Sequence, residues 1–343
     1  MIYGHGDDLY AYPNGISANF SSNVWHTGPP ADLLAALQRA VPSVGNYPDP
    51  NGDAVRHMLA QKYNLTPGHF VLTNGAAEAF YLVAQAWRGT SATIVIPTFS
   101  EYEDAATLHD ITLTFINEEV LARGDVKLAT KLAFICNPNN PTGRSWSVAT
   151  LIDLIQANRQ TLFVVDEAYV DFTAAPNTLL PHLENLPNVI LVRAYTKTFA
   201  IPGLRIGYTI SQPDIADQIL KFRIPWSVNS LALEASRYIL DNESALRPDV
   251  HELLKEAEWL RSQIDTIEGF DALPSATPFF LVKLKAGNST ALKQYLAERW
   301  QCLVRDASNF RGLDDHFIRI ATQDRAKNSI LLNGLRAWMQ SIG

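Results

Sequence analysis

A chain of 343 residues, 47% hydrophobic and 18% charged, exceeds one small core and predicts two domains or one large α/β unit with a cap. Its 28 Lys and Arg against 35 Asp and Glu give a formal net charge of -7; with no basic run, this excludes the electrostatic footprint of a nucleic-acid binder. Cys136 and Cys302 alone make neither a disulfide framework nor a zinc site. No apolar run approaches a membrane span, and "MIYGHGDDLYAY" lacks the charged start and apolar stretch of a signal peptide. A cytoplasmic enzyme fits best, and composition does not exclude a cytoplasmic binding protein.

Residues 1–30, rich in Gly, Asn, Pro and aromatics, predict an irregular arm. "ADLLAALQRAV" and "DAVRHMLAQKYN" have helical spacing on either side of the turn cluster "NYPDPNGD". From about Phe70 to Ile210, short apolar strands alternate with helices. They run through "HFVLTNG", "AAEAFYLVAQAW", "ATIVIPTF", "SEYEDAATLHD", "ITLTFI", "KLAFICNPNNPTG", "SVATLIDLIQANR", "TLFVVDEAYV" and "NVILVRAY". That alternation predicts a mostly parallel sheet with helices on both faces. After about Pro225 the pattern changes to helices interspersed with the separate strands "PFFLVKL", "QCLVRD" and "HFIRIAT". The expected division is an arm over 1–30, a large domain over 31–225 and a smaller α+β domain over 226–343, to which the arm contributes.

Sheets of this kind place ligands beyond the carboxyl ends of their strands, so the polar residues there carry the functional reading. "VVDEAY" supplies Asp166, "NPNNPTG" an asparagine turn, and "TNGAAEAF" a helix start whose free N–H groups favour an anion. "YTKTFAIPGLRIGY" sets Lys197 between apolar strands, with Arg205 eight residues on. Each piece alone has an ordinary structural explanation, and the glycine pattern matches neither dinucleotide nor P-loop motifs. As a set they meet the needs of pyridoxal 5'-phosphate. A desolvated lysine forms the Schiff base. A carboxylate keeps the pyridine nitrogen protonated. Donors hold the ring's 3-oxygen, and N–H groups, a hydroxyl and a cation hold the phosphate.

The ordered motifs "NYPDP", "NGAAEAF", "PTFSEY", "NPNNPTG", "VVDEAY" and "YTKTFAIPGLRIGY" resemble, over nearly the whole chain, the fold-type-I pyridoxal-phosphate enzymes of the class I/II aminotransferase family. The resemblance implies a mostly parallel central sheet flanked by helices and a smaller C-terminal α+β domain. It makes Lys197 the Schiff-base lysine, Asp166 the partner of the pyridine nitrogen, and Asn140 and Tyr169 the 3-oxygen donors. Phe99 becomes the ring-stacking aromatic, and the phosphate falls to Ala76, Ala77, Thr196 and Arg205. Tyr47 would reach the phosphate of a neighbouring subunit, implying a homodimer with shared sites. Arg319 would clamp the substrate carboxylate, a task suited to a bidentate guanidinium. Ala194 stands where many relatives carry Ser or Thr.

Two branches of the family compete for the reaction: histidinol-phosphate aminotransferase, and threonine-phosphate decarboxylase of the cobalamin pathway. "GHG", "NFSSNVWHTGPP", "PWSVNSLA" and "VRDASNFRGL" resemble the decarboxylase, although Trp25-His26-Thr27 and Ala307 depart from its pattern. This resemblance puts Arg305 on a substrate phosphate, with Asn23 also facing the substrate, and implies a small amino acid phosphate monoester; among the scattered histidines, His5 in the arm is the one expected to line the substrate site. For Arg305 a surface ion pair with Asp306 or Asp314 is a competing reading. A remoter reading is a non-catalytic sensor that binds the cofactor, but such domains accompany a DNA-binding module, for which the chain offers neither length nor basic patch.

Overall fold

The computed structural model describes residues 6–13, 15–122 and 126–342. His5, expected near the substrate, lies outside them. The chain enters through a short strand β1 (Ala18–Asn19) and helices α1 (Ala31–Ala40) and α2 (Asp53–Tyr63). An alternating run follows: β2 (Phe70–Thr73), α3 (Gly75–Ala86), β3 (Ser91–Ile96), α4 (Glu101–Leu108), β4 (Thr112–Asn117), α5 (Glu118–Leu121), β5 (Leu132–Cys136), α6 (Val148–Ala157), β6 (Leu162–Asp166), β7 (Val189–Ala194), β8 (Gly207–Ser211) and α7 (Pro213–Leu220). The last part comprises α8 (Ser230–Leu246), α9 (Val250–Asp265), β9 (Phe270–Ala272), β10 (Phe279–Leu284), α10 (Ser289–Trp300), β11 (Cys302–Leu303), β12 (Arg305–Asp306), β13 (Phe317–Ala321) and α11 (Arg325–Ile342).

Local chemistry sets the element ends. Ser147 and Asp249 accept hydrogen bonds from the backbone N–H of Thr150 and Glu252, at 3.1 Å each, and so cap α6 and α9. Asn64, at φ 54°, ends α2 in the left-handed conformation that asparagine tolerates.

The large sheet has the order β2-β8-β7-β6-β5-β3-β4. Only β8 runs against the rest, so the expected mostly parallel sheet is present. Its strands alternate between two apolar layers. Ala133, Ile135, Phe163 and Val165 pack on one face with Leu33 and Leu59. Leu132, Phe134, Leu162 and Val164 pack on the other with Phe80 and Tyr102. Each Leu, Ile, Val or Phe side chain among them removed from water contributes about 1.5–3 kcal/mol, which explains why these strands are apolar on both sides. Helix α8 joins the first layer through Ala232, Leu233 and Ile239 and packs on α1 and α2.

A second, antiparallel sheet has the order β12-β13-β10-β9, and α9, α10 and α11 supply much of its core. The run "QCLVRD" splits at Val304, because its halves take different partners. β11 pairs in parallel with β1, Ala18 opposite Cys302, whereas β12 pairs with β13. The arm is thereby fastened to this second unit, and Ala321 N donates to Phe20 O at 2.8 Å. The units meet at Gly143 (φ 68°), where a β-carbon would stand 1.9 Å from Ser275 Oγ; Ala276 N donates to the Gly143 carbonyl at 2.9 Å. No helix among the described residues is long and apolar enough to cross a membrane.

Candidate active site

Because six of the seven strands are parallel, their carboxyl ends share one edge, where β8 begins. Here the loops after β2, β3, β5, β6 and β7 converge. One cavity is lined by Ala76 and Ala77 from the start of α3, Phe99 after β3, Asn140 after β5, Asp166 and Tyr169 at the end of β6, Thr196 and Lys197 after β7, and Arg205 before β8. All nine residues were expected at a cofactor.

Lys197 is half-buried in the cavity wall, with Nζ 6.0 Å from the centre of the Tyr169 ring. Burial lowers its pKa from the ordinary 10.5 to about 8; Arg319 and Arg205 add to the effect, while Asp7 and Asp166 oppose it. An amine so placed gives up its proton near neutrality, as a nucleophile must. Burial also raises Asp166 to about 6, against the hydrogen bonds of Tyr102 and Ala168 N and the charge of Lys197. Tyr102 Oη donates to Asp166 Oδ2 at 2.6 Å, and Ala168 N to Oδ1 at 2.9 Å.

Two asparagines of "NPNNPTG" hold the turn and the third faces the cavity. Asn137 Oδ1 accepts from Trp146 N at 2.7 Å, and Asn139 Nδ2 donates to Pro97 O at 2.8 Å. Asn140 Oδ1 accepts from Arg319 Nη1, which leaves its NH2 as the group able to donate into the cavity. At the opposite end, Gly75 (φ 74°) opens α3 against the Arg205 guanidinium; a β-carbon there would come within 2.3 Å of Nη2. A β-carbon at Gly207 would stand 2.7 Å from Ala76 N. The two glycines let a cation and a helix start meet at one point, the arrangement an anion needs.

Arg305 and Arg319 face each other as direct partners in the β12–β13 ladder, both buried. Arg305 Nη2 donates to Asn309 Oδ1 at 2.8 Å, and its guanidinium lies 5.2 Å from the Phe310 ring centre. Arg319 donates to Asn140 Oδ1 and, at 2.6 Å, to Ser21 O, but its Nε has no partner. No carboxylate among the described residues pairs with Arg319, and burial, with Arg305 adding, lowers it from 12.5 to about 9. Asn23 is buried with neither side-chain oxygen nor nitrogen hydrogen-bonded. Like charges opposite one another in a ladder repel, and unpaired buried polar atoms are costly. Both features are costs that bound anions would offset.

Tyr47 lies apart. Its side chain is 83% exposed, with its ring centre 5.0 Å from that of Trp226. Two participants were not singled out from the sequence. Tyr102 sits on the first turn of α4, three residues after Phe99, and its closeness in sequence to that residue was the available signal. Trp25 N donates to the Lys197 carbonyl at 3.1 Å, a contact no sequence pattern encodes.

The donor set fits pyridoxal 5'-phosphate. Lys197 would bond its aldehyde, Asp166 would meet the ring nitrogen, Asn140 and Tyr169 the ring oxygen, and Ala76 N, Ala77 N, Thr196 and Arg205 the phosphate. The profile of the family described as aminotransferase class I and II matches residues 16–335. A histidinol-phosphate aminotransferase from Caldanaerobacter subterraneus subsp. tengcongensis is 31% identical over 303 residues, covering 85% of this chain and 84% of its own. The crystal structure of L-threonine-O-3-phosphate decarboxylase from Porphyromonas gingivalis superimposes with a TM-score of 0.91 at 33% identity, covering 94% of this chain and 99% of that one. The histidinol-phosphate aminotransferase from Sinorhizobium meliloti, solved with pyridoxal-5'-phosphate, shares the fold at a TM-score of 0.87 and 22% identity, over all of this chain and 96% of that one. Motif order, cavity and relatives agree: the chain belongs to the aminotransferase class I and II family, whose enzymes depend on pyridoxal phosphate.

Proposed function

We propose that the protein acts on a small amino acid carrying a phosphate monoester, and that it releases the carboxylate as CO2 in the manner of a threonine-phosphate decarboxylase. The observation that carries this reading is the pair Arg305 and Arg319, two buried arginines opposite each other in the β12–β13 ladder, of which Arg319 is bonded to Asn140 of the cavity wall. Arg319, with its unpartnered Nε, takes the carboxylate, and buried Asn23, close to Tyr169, offers a further amide. Arg305 takes the phosphate. When bound, pyridoxal phosphate supplies an electron sink that weakens whichever bond at the substrate's α-carbon stands perpendicular to its ring. The protein's part is to orient the substrate between two fixed cations and to keep the Lys197 amine available for proton movement.

A second reading rests on the same pair. Two cations also suit the two carboxylates of glutamate or 2-oxoglutarate, as a histidinol-phosphate-type transaminase requires. Purified enzyme given O-phosphothreonine alone is expected to release CO2 stoichiometrically with substrate consumed. Strict dependence on 2-oxoglutarate, with glutamate as a product, would establish the transaminase instead.

The division into arm, large unit 31–225 and small unit 226–343 is proposed with α8 as the joint, since α8 packs on α1 and α2. We further propose a homodimer in which Tyr47 completes the partner's phosphate site. Exposed Val44 and Trp226 line one surface groove with Tyr47, and Val41 and Ile224 are exposed as well; exposed apolar residues of this kind support the reading of an interface. Separately inactive Tyr47→Ala and Lys197→Ala proteins, mixed and allowed to exchange subunits, are expected to recover about a quarter of wild-type activity, because half the dimers are mixed and each has one intact site. No recovery in demonstrably mixed dimers would place Tyr47 outside the partner's site.

A further inference from the structure

Asp166 is held from behind by a residue the reaction itself does not require. Tyr102 is 1% exposed and sits on the first turn of α4. Its ring is stacked 5.5 Å from Phe134 and meets Phe80 and Phe99 edge-on at 4.7 and 5.8 Å. Three aromatic neighbours thus fix the direction of the phenol, whose O–H donates to Asp166 Oδ2 at 2.6 Å. The neighbouring wall is Cys136, opposite Asp166 in the β5–β6 register, with its thiol turned to Pro138 O at 3.2 Å. The other ionisable groups acting on this carboxylate are Lys197, which favours its charge, and Glu167, which opposes it. Tyr169 and Cys136 are neutral neighbours held far from ionisation by burial. Glu167 is itself bound by Arg193 at 2.8 Å.

We propose that Tyr102 is a positioning residue that keeps Asp166 ionised for the cofactor's ring nitrogen, and so sets the lowest pH at which the cofactor is retained. A buried carboxylate with few donors takes up a proton readily. Burial already brings Asp166 to about 6, with the Tyr102 hydrogen bond among the influences holding it down. The phenol, pushed well above its ordinary value of 10 by burial and by Asp166, stays a donor throughout the working range and brings no charge of its own. Once Asp166 is protonated, a ring N–H⁺ loses its counter-charge and binding weakens.

The test uses the full chain stripped of cofactor and 4-deoxypyridoxine 5'-phosphate, which carries the ring nitrogen and phosphate but no aldehyde for Lys197 to bond. Its dissociation constant is followed from pH 5 to 8.5 by quenching of tryptophan fluorescence. In Tyr102→Phe the acid weakening is expected to begin about one pH unit higher than in wild type, giving about tenfold weaker binding near pH 6 and a change within about threefold at pH 8. The ligand phosphate titrates equally in every variant and cancels in the comparison. With Asp166→Asn as background, Tyr102→Phe is expected to add no pH dependence. Superimposable profiles, or a loss equal at every pH, would overturn the proposal in favour of a packing role. Should Tyr102→Phe not fold, 3-fluorotyrosine at position 102, a stronger donor of nearly the same shape, is expected to move the onset to lower pH; an unmoved onset likewise overturns it.

Discussion

Lys197→Ala is expected to lose the yellow absorbance of covalently held cofactor together with about 10⁴-fold or more of turnover, since one amine serves as both nucleophile and proton carrier. Colour and turnover that persist would overturn the whole site assignment. The same residue makes a second, opposite expectation for the cofactor-free protein. Its pKa falls from 10.5 to about 8, and at about 1.4 kcal/mol per pH unit this corresponds to roughly 3 kcal/mol. The sign follows from which state binds the proton more tightly. The unfolded chain does, so the penalty is full below about pH 8 and fades as the pH rises toward 10.5. Apo Lys197→Met, which fills the space without charge, is therefore expected to be more stable than wild type to urea at pH 7 by about 2–3 kcal/mol. The gap should close by about pH 10. A gap that ignores pH would mean that packing, not desolvation, separates the two proteins.

Arg319→Leu is expected to lower kcat/KM on a carboxylate substrate by about 10²–10³-fold, the usual consequence of removing one member of a buried charge pair. The cofactor-free protein should nevertheless gain about 1–3 kcal/mol in urea melts at neutral pH. Arg319 is buried opposite Arg305, has no carboxylate partner among the described residues and leaves Nε unsatisfied. Removing it relieves desolvation and repulsion at the cost of the bonds to Asn140 and Ser21. A variant that loses stability while keeping its kcat/KM would show that Arg319 is a structural tie and not a substrate clamp. Opposite movements of activity and stability mark a group kept in place for its ligand.

The sequence was most readable where chemistry follows local order. Lys197, Asp166, Asn140 and Arg205 each stand at the end or start of a short apolar strand, and a parallel sheet brings such ends to one edge whatever the details of its packing. The covered strands were equally plain, because burial on both faces demands continuous apolar runs. What stayed hidden depends on pairing between distant segments. Tyr102 lies in the helical stretch "SEYEDAATLHD", where a tyrosine at one-turn spacing reads as ordinary core; only the fold brings it to Asp166. Arg305 and Arg319 are separated by a loop, and their side-by-side placement is a matter of strand register. The split of "QCLVRD" at Val304 follows from the arm's pairing with β11, which no alternation of residues announces. Tyr47 has a purpose in the proposed dimer that a single chain leaves at the surface.

The arm has a mechanical consequence. Phe20 O receives Ala321 N, Ser21 O receives Arg319 Nη2, and four residues further on Trp25 N grips the carbonyl of Lys197. A single stretch of backbone thus acts as a tie-rod between Arg319, proposed for the substrate, and Lys197, proposed for the cofactor. Its length is a gauge for the chemistry. One residue inserted between Ser21 and Trp25 adds up to about 3.3 Å of reach, larger than the tolerance for aligning reacting groups. Such an insertion would leave both sheets standing while putting substrate and amine out of step. The short arm is therefore a measuring part of the enzyme, as sensitive to its length as to its composition.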